Sequence, residues 1–436
     1  MEWNKKKDMK NIAKGYLKWL AKAVLLRHKP FIIGITGSVG KTTTKDALAF
    51  ALHDLTSLRA TTKNFNNEIG LPLTILGITE EPGRSVLRWL FIGLRGMQLF
   101  FFGGAYPKVL ILEMGVDRPG DMLYLLSIVR PNISIVTGVS SSHLEYFGTL
   151  EAIAQEKGYL VEKTHPHGKV FLNADNMYSW GMKDRAQGSV VFYGFGKRAY
   201  LKAFNDSIEL SQGFSGMNLK VEYKESVIPL RLAHIIARHH VEALLVALGV
   251  GDVLGYNVIE VSRRLESFSP SVGRFYVIDG KEESILIDDT YNASPVSTRA
   301  GILALKEIKR EKTMVILGDM LELGKEEKIS HEALASDIMR AKIDQVLLTG
   351  TRMKWLYDEL VRQGFDKEYL WWEQTRKVLL MRAESLMQPK MIVLIKGSQG
   401  MRMEQIVEVL MARPEKAPQY LCRQGKEWKK RAFIQP

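Results

Sequence analysis

Residues 31–44 read FIIGITGSVGKTTT. An apolar, β-prone run ends in a glycine-rich turn, then Lys41 and three threonines, and the helix-prone DALAFAL follows. That order is the sequence form of a strand, a phosphate-binding loop and a helix. Backbone N–H groups of such a turn, with the positive end of the next helix, face phosphate oxygens. Gly37, Ser38, Gly40, Lys41, Thr42 and Thr43 are therefore the expected nucleotide cradle. Lys41 reaches the β/γ oxygens in this reading and the Thr42 hydroxyl ligates Mg2+. The strict Walker spacing is not met, because Ile35 stands five positions before Gly40 and the first glycine of the turn is Gly37.

Working outward, the chain of 436 residues is long enough for two or three domains. Its 46% hydrophobic and 25% charged residues describe a soluble globular protein, not a disordered one. The single cysteine, Cys422, excludes an intramolecular disulfide and a cysteine-built metal site, so a reducing cytoplasm is the expected setting.

Sixty-one Lys and Arg face 48 Asp and Glu, a net charge of +13, with much of the excess at the two ends. In residues 1–30, Lys10, Lys14, Lys18 and Lys22 recur every fourth position, while Met9, Ile12, Ala13, Tyr16, Leu17, Leu20, Ala23 and Val24 form another face. This is a basic amphipathic helix. Two readings stay open: it lies on an anionic membrane surface, on the inner face, or it packs on the protein's own core. No uncharged apolar core or cleavage site marks a secretory signal. No helix-turn-helix, zinc or aromatic RNA-binding signature accompanies the charge, so no nucleic-acid partner is expected. The chain is expected to be a monomer.

After the phosphate loop, TTKNFNNEIGLPLTIL places Asn64, Asn66 and Asn67 where a loop presenting amides is expected, a turn capping the next helix being the alternative. Residues 86–105 are strongly apolar, but Arg88 and Arg95 interrupt them and four glycines loosen them. A spanning helix is rejected, and a buried or interfacial hairpin-like segment with peripheral membrane contact is expected. Short apolar runs alternating with helices then predict a parallel sheet covered on both faces. Glu113 ends one of these strands and His143 follows the next, at the carboxyl edge where ligands collect. Burying a lone glutamate there is costly, which favours a metal or ion-pair role. Lys157 reads locally as a solvated helix lysine, and His234, His239 and His240 as surface or satisfied core residues.

Strand runs of more alternating character, from KVFLNAD to SVIPLRL, predict an appended meander in the same domain. A new strand–helix alternation begins after Ser269-Pro270-Ser271. The fold expected is α/β: a central phosphate-loop ATPase domain with a mainly parallel sheet over residues 31–269, and a doubly wound, Rossmann-like α/β domain over 270–413. A basic helix (1–30) and a basic tail (414–436) flank them.

At this point the sequence resembles a family, the Mur ligases. TGSVGKTTTK resembles the family's ATP loop and TKNFNNEIGLPLTIL its asparagine-rich substrate-side loop; LEMGVDRPGDM, VSSSHLEYFGTLEAIAQEKGYLVE, VGRF, IDDTYNASPVS, LGDMLELG and LIKGSQGMRMEQI follow in the family order. The resemblance runs from about residue 31 to 412. It implies an ATP-dependent amide ligase in which ATP phosphorylates a carboxylate and an amine attacks the acyl phosphate. It further implies two Mg2+ positions, Thr42 with Glu113 at one and His143 at the second, and a CO2-carbamylated, metal-binding Lys157. Arg274 becomes a hinge-side arginine; Asp288, Asp289, Tyr291 and Asn292 hold ribose and phosphates; His240 or His239 lies near the adenine. Asn64, Asn66 and Asn67 belong to the substrate side, and Lys396 and Ser398 face the incoming amine.

The implied substrates are a UDP-N-acetylmuramoyl tripeptide and D-alanyl-D-alanine. A different acceptor, such as a polyglutamate or another wall peptide, and a non-catalytic nucleotide-binding membrane protein are the alternatives. Three departures stand out. About thirty residues precede the ATP loop where the resembled ligases carry a UDP-binding domain of roughly a hundred residues; the adenine-side histidine lacks its asparagine; and Gln399 replaces an arginine.

Overall fold

The computed structural model describes residues 2–62, 64–83, 85–140, 144–211, 214–308, 312–425 and 428, and their side chains from residue 11 on except 210, 211 and 214. At the centre of the first domain is β1 (Phe31–Thr36). It is flanked by two parallel strands, β3 (Val109–Glu113) with Ile35 opposite Glu113, and β4 (Ile133–Val136) with Thr36 opposite Val136. β2 (Leu58–Ala60) lies outside β3, and β5 (Lys169–Asn173) and β6 (Ser189–Gly194) continue beyond β4. The expected meander is present as β7 (Leu201–Ser211), β8 (Phe214–Tyr223) and β9 (Ser226–Ala233), antiparallel to one another and hydrogen-bonded on to β6. Pro229 sits in β9, the edge strand, where a missing N–H is tolerated.

Helices cover both faces, which is why the inner strands are apolar on both sides. One face carries α2 (Lys41–Leu52), packed through Leu48 and Leu52 against the later helix Arg238–Val253. The other carries α1 (Glu2–His28), α3 (Gly70–Leu76), α4 (Val86–Phe101), α5 (Asp121–Leu126), α6 (Leu144–Phe147) and α7 (Leu150–Glu162). α8 (Met177–Gly181) follows β5, and the helix packed on α2 is α9. Of the two readings open for α1, packing is present: Leu17, Leu20, Ala21 and Val24 are buried in the core.

The apolar segment 86–105 differs from expectation. It is not hairpin-like but one continuous helix, α4, over sixteen residues. Gly93 and Gly96 do not break it; they lie on its buried stripe, where an added Cβ would stand 2.1 Å from the Tyr16 hydroxyl and 2.8 Å from Leu20. Their smallness brings α4 onto α1. Among the described residues no helix is long and apolar enough to cross a membrane.

The second domain is a six-stranded sheet: β10 (Tyr276–Asp279), β11 (Ile285–Asp289), β12 (Thr313–Gly318), β13 (Gln345–Thr349), β14 (Leu370–Trp372) and β15 (Ile392–Lys396). Their spatial order is β10-β11-β15-β12-β13-β14, with β10 alone antiparallel. The helix Pro295–Glu307 after β11 begins with Ser294 and Ser297 forming a reciprocal cap and proline in the first turn. Residues 414–425, expected as a basic tail, pack into this domain instead: Ala417 and Leu421 join its core and Cys422 is buried.

Candidate active site

The connections after β1 and β4 leave in opposite directions, so the crevice beyond their carboxyl ends is the switch point where α/β sheets bind ligands. The loop Gly37–Gly40 fills it. Gly40 has φ 87° and precedes α2 without any side-chain cap, leaving the helix's first amides for another acceptor. Gly37 cannot be replaced by a larger residue, since a Cβ there would lie 1.9 Å from the Thr137 hydroxyl. Thr137 in turn donates to the Val39 carbonyl at 2.5 Å, and Ser38 receives the Ser140 N–H at 2.9 Å, so the end of β4 holds the loop's shape.

Two lysines converge on one carbonyl. Lys41 Nζ donates to Gly37 O at 2.7 Å and Lys157 Nζ donates to the same oxygen at 3.2 Å. Lys157, read locally as solvated, is buried on α7. Burial lowers the Lys41 pKa, against an opposing pull from Glu113. Burial, with repulsion from Lys41 second, pushes Lys157 well below its ordinary value. Glu113 is buried at the end of β3, where Asn66 Nδ2 donates to its Oε1 at 3.0 Å while its Oε2 has no partner. An unpartnered buried carboxylate oxygen next to a phosphate loop fits a hard divalent cation, with the Thr42 hydroxyl as a second oxygen donor. His143 lies outside the described residues. Among the described residues no cluster of three His, Cys, Asp or Glu forms a metal site.

The two lysines face a cleft of about 410 Å³ whose walls include Lys14, Gly37, Lys41, Asn66, Asn67, Asp117 and Lys157. The three asparagines divide the two roles expected for them. Asn66 holds Glu113, Asn67 Oδ1 accepts the Ile69 and Gly70 N–H groups at the start of α3, and Asn64 accepts the Tyr291 hydroxyl at 2.7 Å.

That last bond crosses between domains, as do two others. Arg274 Nη2 donates to Thr42 Oγ1 at 3.3 Å, and Ser271 Oγ donates to Asp46 Oδ2 at 2.5 Å. The Arg274 guanidinium also lies 4.1 Å from the Tyr291 ring centroid. His240 is buried, 4.3 Å from the His239 ring and 6.3 Å from the Phe275 ring between centroids. Burial holds His240 well below its ordinary pKa and His239 at about 4, so both rings are neutral at pH 7.

The remaining expected residues have other partners. Lys396 donates to Asp289 Oδ2 at 2.6 Å and to Asn292 O at 2.9 Å, and Ser398 Oγ accepts the Leu321 N–H at 2.8 Å. The Lys396 bonds tie the 289–293 turn to the end of β15, and the Ser398 bond ties in the loop after β12. Asp288 is fully buried, accepts from the Thr290 hydroxyl at 2.6 Å, and does not line the cleft.

Sequence reasoning missed Lys14, Thr137, Asp117 and Glu156. Glu156 accepts the Gly120 and Met122 N–H groups at 3.0 and 2.7 Å, fixing the start of α5 and with it the wall that carries Asp117. A glutamate beside Lys157 on one helix carries no local signal of such a long-range partner.

Comparison with known proteins follows the same division of the chain. The Mur ligase middle domain matches residues 35–87 and 94–251, and the Mur ligase glutamate ligase domain matches 273–399. The UDP-N-acetylmuramoyl-tripeptide–D-alanyl-D-alanine ligase of Bacillus subtilis is 28% identical over 404 residues, covering 91% of this chain and 79% of the relative. The ligase of the same name from Escherichia coli is 26% identical over 380 residues, covering 87% and 76%. Among solved structures, MurF from Thermotoga maritima in complex with ADP matches with a TM-score of 0.76 at 24% identity, over 92% of this chain and 84% of that one. Folylpolyglutamate synthase from Mycobacterium tuberculosis shares the fold at a TM-score of 0.60 and 17% identity, over 92% and 95%.

Proposed function

Because the chain belongs to the Mur ligase family, we propose that it uses ATP to join D-alanyl-D-alanine to a UDP-N-acetylmuramoyl tripeptide, a step in making the cell-wall peptide. The Bacillus and Escherichia relatives are ligases of that kind by name. The observation that carries the reading is the meeting of Lys41 and Lys157 on the Gly37 carbonyl, beside a Glu113 oxygen with no partner.

The phosphates of ATP belong on the Gly37–Gly40 loop and the uncapped start of α2, with Ser38 and Thr43 beside them. Lys41 exchanges the Gly37 carbonyl for the β/γ oxygens. A carboxylate oxygen of the tripeptide attacks the γ-phosphorus and the bond to ADP breaks, leaving an acyl phosphate. The dipeptide amine attacks the acyl carbon, the C–O bond to phosphate breaks, and the amine's proton leaves with the phosphate. Catalysis of such a transfer is mostly positioning and charge stabilisation. Thr42 and Glu113 would hold Mg2+, which neutralises charge on the phosphates, and His143 is assigned to a second ion. Burial favours the uncharged amine of Lys157, the form that would add CO2 and lose a proton to give a carbamate, an oxygen donor for a metal ion.

Arg274, Tyr291, Asp289 and Asn292 are assigned to the nucleotide's ribose and phosphates and His240 to the adenine side, with water excluded once the domains close. Asn64, Asn66 and Asn67, with Lys14 across the cleft, are assigned to the tripeptide.

The test is ADP release by the purified chain with Mg-ATP and bicarbonate, with the tripeptide and dipeptide present together or singly. Release that needs both supports the reading. Release with another carboxylate and amine, but not this pair, keeps the ligase and replaces the acceptor.

A further inference from the structure

One side of the first domain carries apolar surface that its core does not use. α4 buries the stripe Ile92, Gly93, Gly96 and Leu99 and turns the opposite stripe to solvent. There Leu87, Leu90, Phe91, Leu94 and Phe101 are 77, 60, 61, 54 and 68% exposed. α1 lies alongside, and its own outer stripe repeats every seven residues: Ile12, Trp19 and Leu26 are 73, 63 and 71% exposed. The two helices pack on each other, with the Tyr16 hydroxyl of α1 against Gly93 on the buried stripe of α4. Exposed apolar stripes on two helices packed together mark an interaction surface.

The charge around it names the partner. Residues 2–28 contain eight Lys or Arg and two Asp or Glu, so α1 carries a net charge of +6. Lys22, Arg27 and Lys29 are exposed, and α4, with no acid between Val86 and Phe101, adds Arg95 and also Arg88, the latter 3.7 Å from Glu80. Where the chain leaves Phe102, a shallow cleft of about 380 Å³ is lined by His28, Lys29 and Lys108 and by no acidic residue. A second copy of the chain, meeting this face about a twofold axis, would bring two such cationic helices together. An anionic bilayer satisfies both features, with acyl chains for the stripe, phosphates for the rim and an interfacial position for Trp19, Tyr16 and Phe91. At sixteen residues α4 is about 24 Å long, short of the ~30 Å hydrocarbon core, and one of its stripes is already buried on α1. It therefore lies along the surface.

We propose that the α1/α4 face is a docking surface for an anionic lipid bilayer. Leu90, Phe91 and Leu94 enter the acyl boundary while Lys22, Arg27, Lys29 and Lys108 meet lipid phosphates. The proposal is independent of the reaction assigned above. Because Lys14 of α1 also lines the catalytic cleft, docking holds that cleft within about one helix diameter, ~10 Å, of the headgroups.

The experiment is co-sedimentation of the full chain, without nucleotide, with vesicles of phosphatidylcholine alone or mixed with phosphatidylglycerol, at low and high salt. The expected result is pelleting with phosphatidylglycerol vesicles that weakens with salt. The double variant Leu90→Glu, Phe91→Glu loses at least about tenfold in partitioning, and Lys22→Glu with Arg27→Glu loses several-fold. All four side chains are exposed, so the circular dichroism spectrum and melting temperature should stay those of the parent. No pelleting with phosphatidylglycerol, or equal pelleting of parent and variants, overturns the proposal. So does a parent dimer in sedimentation velocity that the Leu90→Glu, Phe91→Glu variant turns into monomer while vesicles bind neither, since the face would then belong to a second copy.

Discussion

Arg274 of the second domain donates a hydrogen bond to the Thr42 hydroxyl of the first, 3.3 Å away, at the threonine that follows the phosphate-loop lysine. The contact joins the two domains at the point where the triphosphate is assigned.

Replacing Arg274 by Ala should lower kcat/KM for ATP by about ten- to a hundredfold, the range for losing one charged group at a developing phosphate charge. Arg274→Lys should not restore it, because an ammonium lacks the planar fork that both reaches Thr42 and stacks on Tyr291. Steady-state kinetics of ADP release checks both.

Lys157 is a buried amine that donates a hydrogen bond to Gly37 O. Lys157→Met keeps the volume and removes the buried polar group. It should raise stability in urea melts by about 1–2 kcal/mol and reduce ligation to the background rate. A variant that is both less stable and active would contradict the role given to this residue.

Asp288 gives a pH dependence with a definite sign. Burial raises its folded pKa from the ordinary 3.8 to about 7. Between those values the folded chain holds a proton that the unfolded chain has lost, so the contribution is complete below about pH 4 and is lost as the pH rises through 7. Asp288→Asn mimics the protonated form. Its stability relative to the parent should grow from pH 4 to 7, by a few kcal/mol in order of magnitude, and level off above. Denaturant melts across that range read the difference.

Glu404 sits fully buried between two arginines, receiving Arg402 Nε at 2.5 Å and Arg423 Nη2 at 2.9 Å. Arg423 also donates to the Tyr291 carbonyl at 3.0 Å, so this network supports the turn that meets Asn64 and Arg274. Glu404→Gln leaves two buried cations short of a charge and should cost about 3–5 kcal/mol. Where the variant still folds, KM for ATP should rise more than kcat falls.

The parts that the sequence revealed are those whose physics is local. A phosphate loop needs glycines at positive φ followed by Lys-Thr, and residues 37–42 state that within six positions. Parallel strands covered on both faces read as plain apolar runs, and β1, β3, β4, β12 and β15 do so. The misreadings depend on distant partners. Gly93 and Gly96 look like helix breakers until α1 lies against them. Residues 414–425 look like a basic tail until Arg423 finds Glu404 and Leu421 finds the core. Lys157 looks like a solvated lysine because nothing in its helix announces that Gly37, 120 positions earlier, is its neighbour.

The most direct test of the account follows one oxygen atom. With the terminal carboxylate of the tripeptide labelled with oxygen-18, the proposed acyl phosphate requires that the pentapeptide form together with ADP and that the released phosphate carry one labelled oxygen. Pentapeptide with unlabelled phosphate, or labelled AMP in place of labelled phosphate, would contradict the mechanism; ATP hydrolysis with no pentapeptide at all would contradict the function.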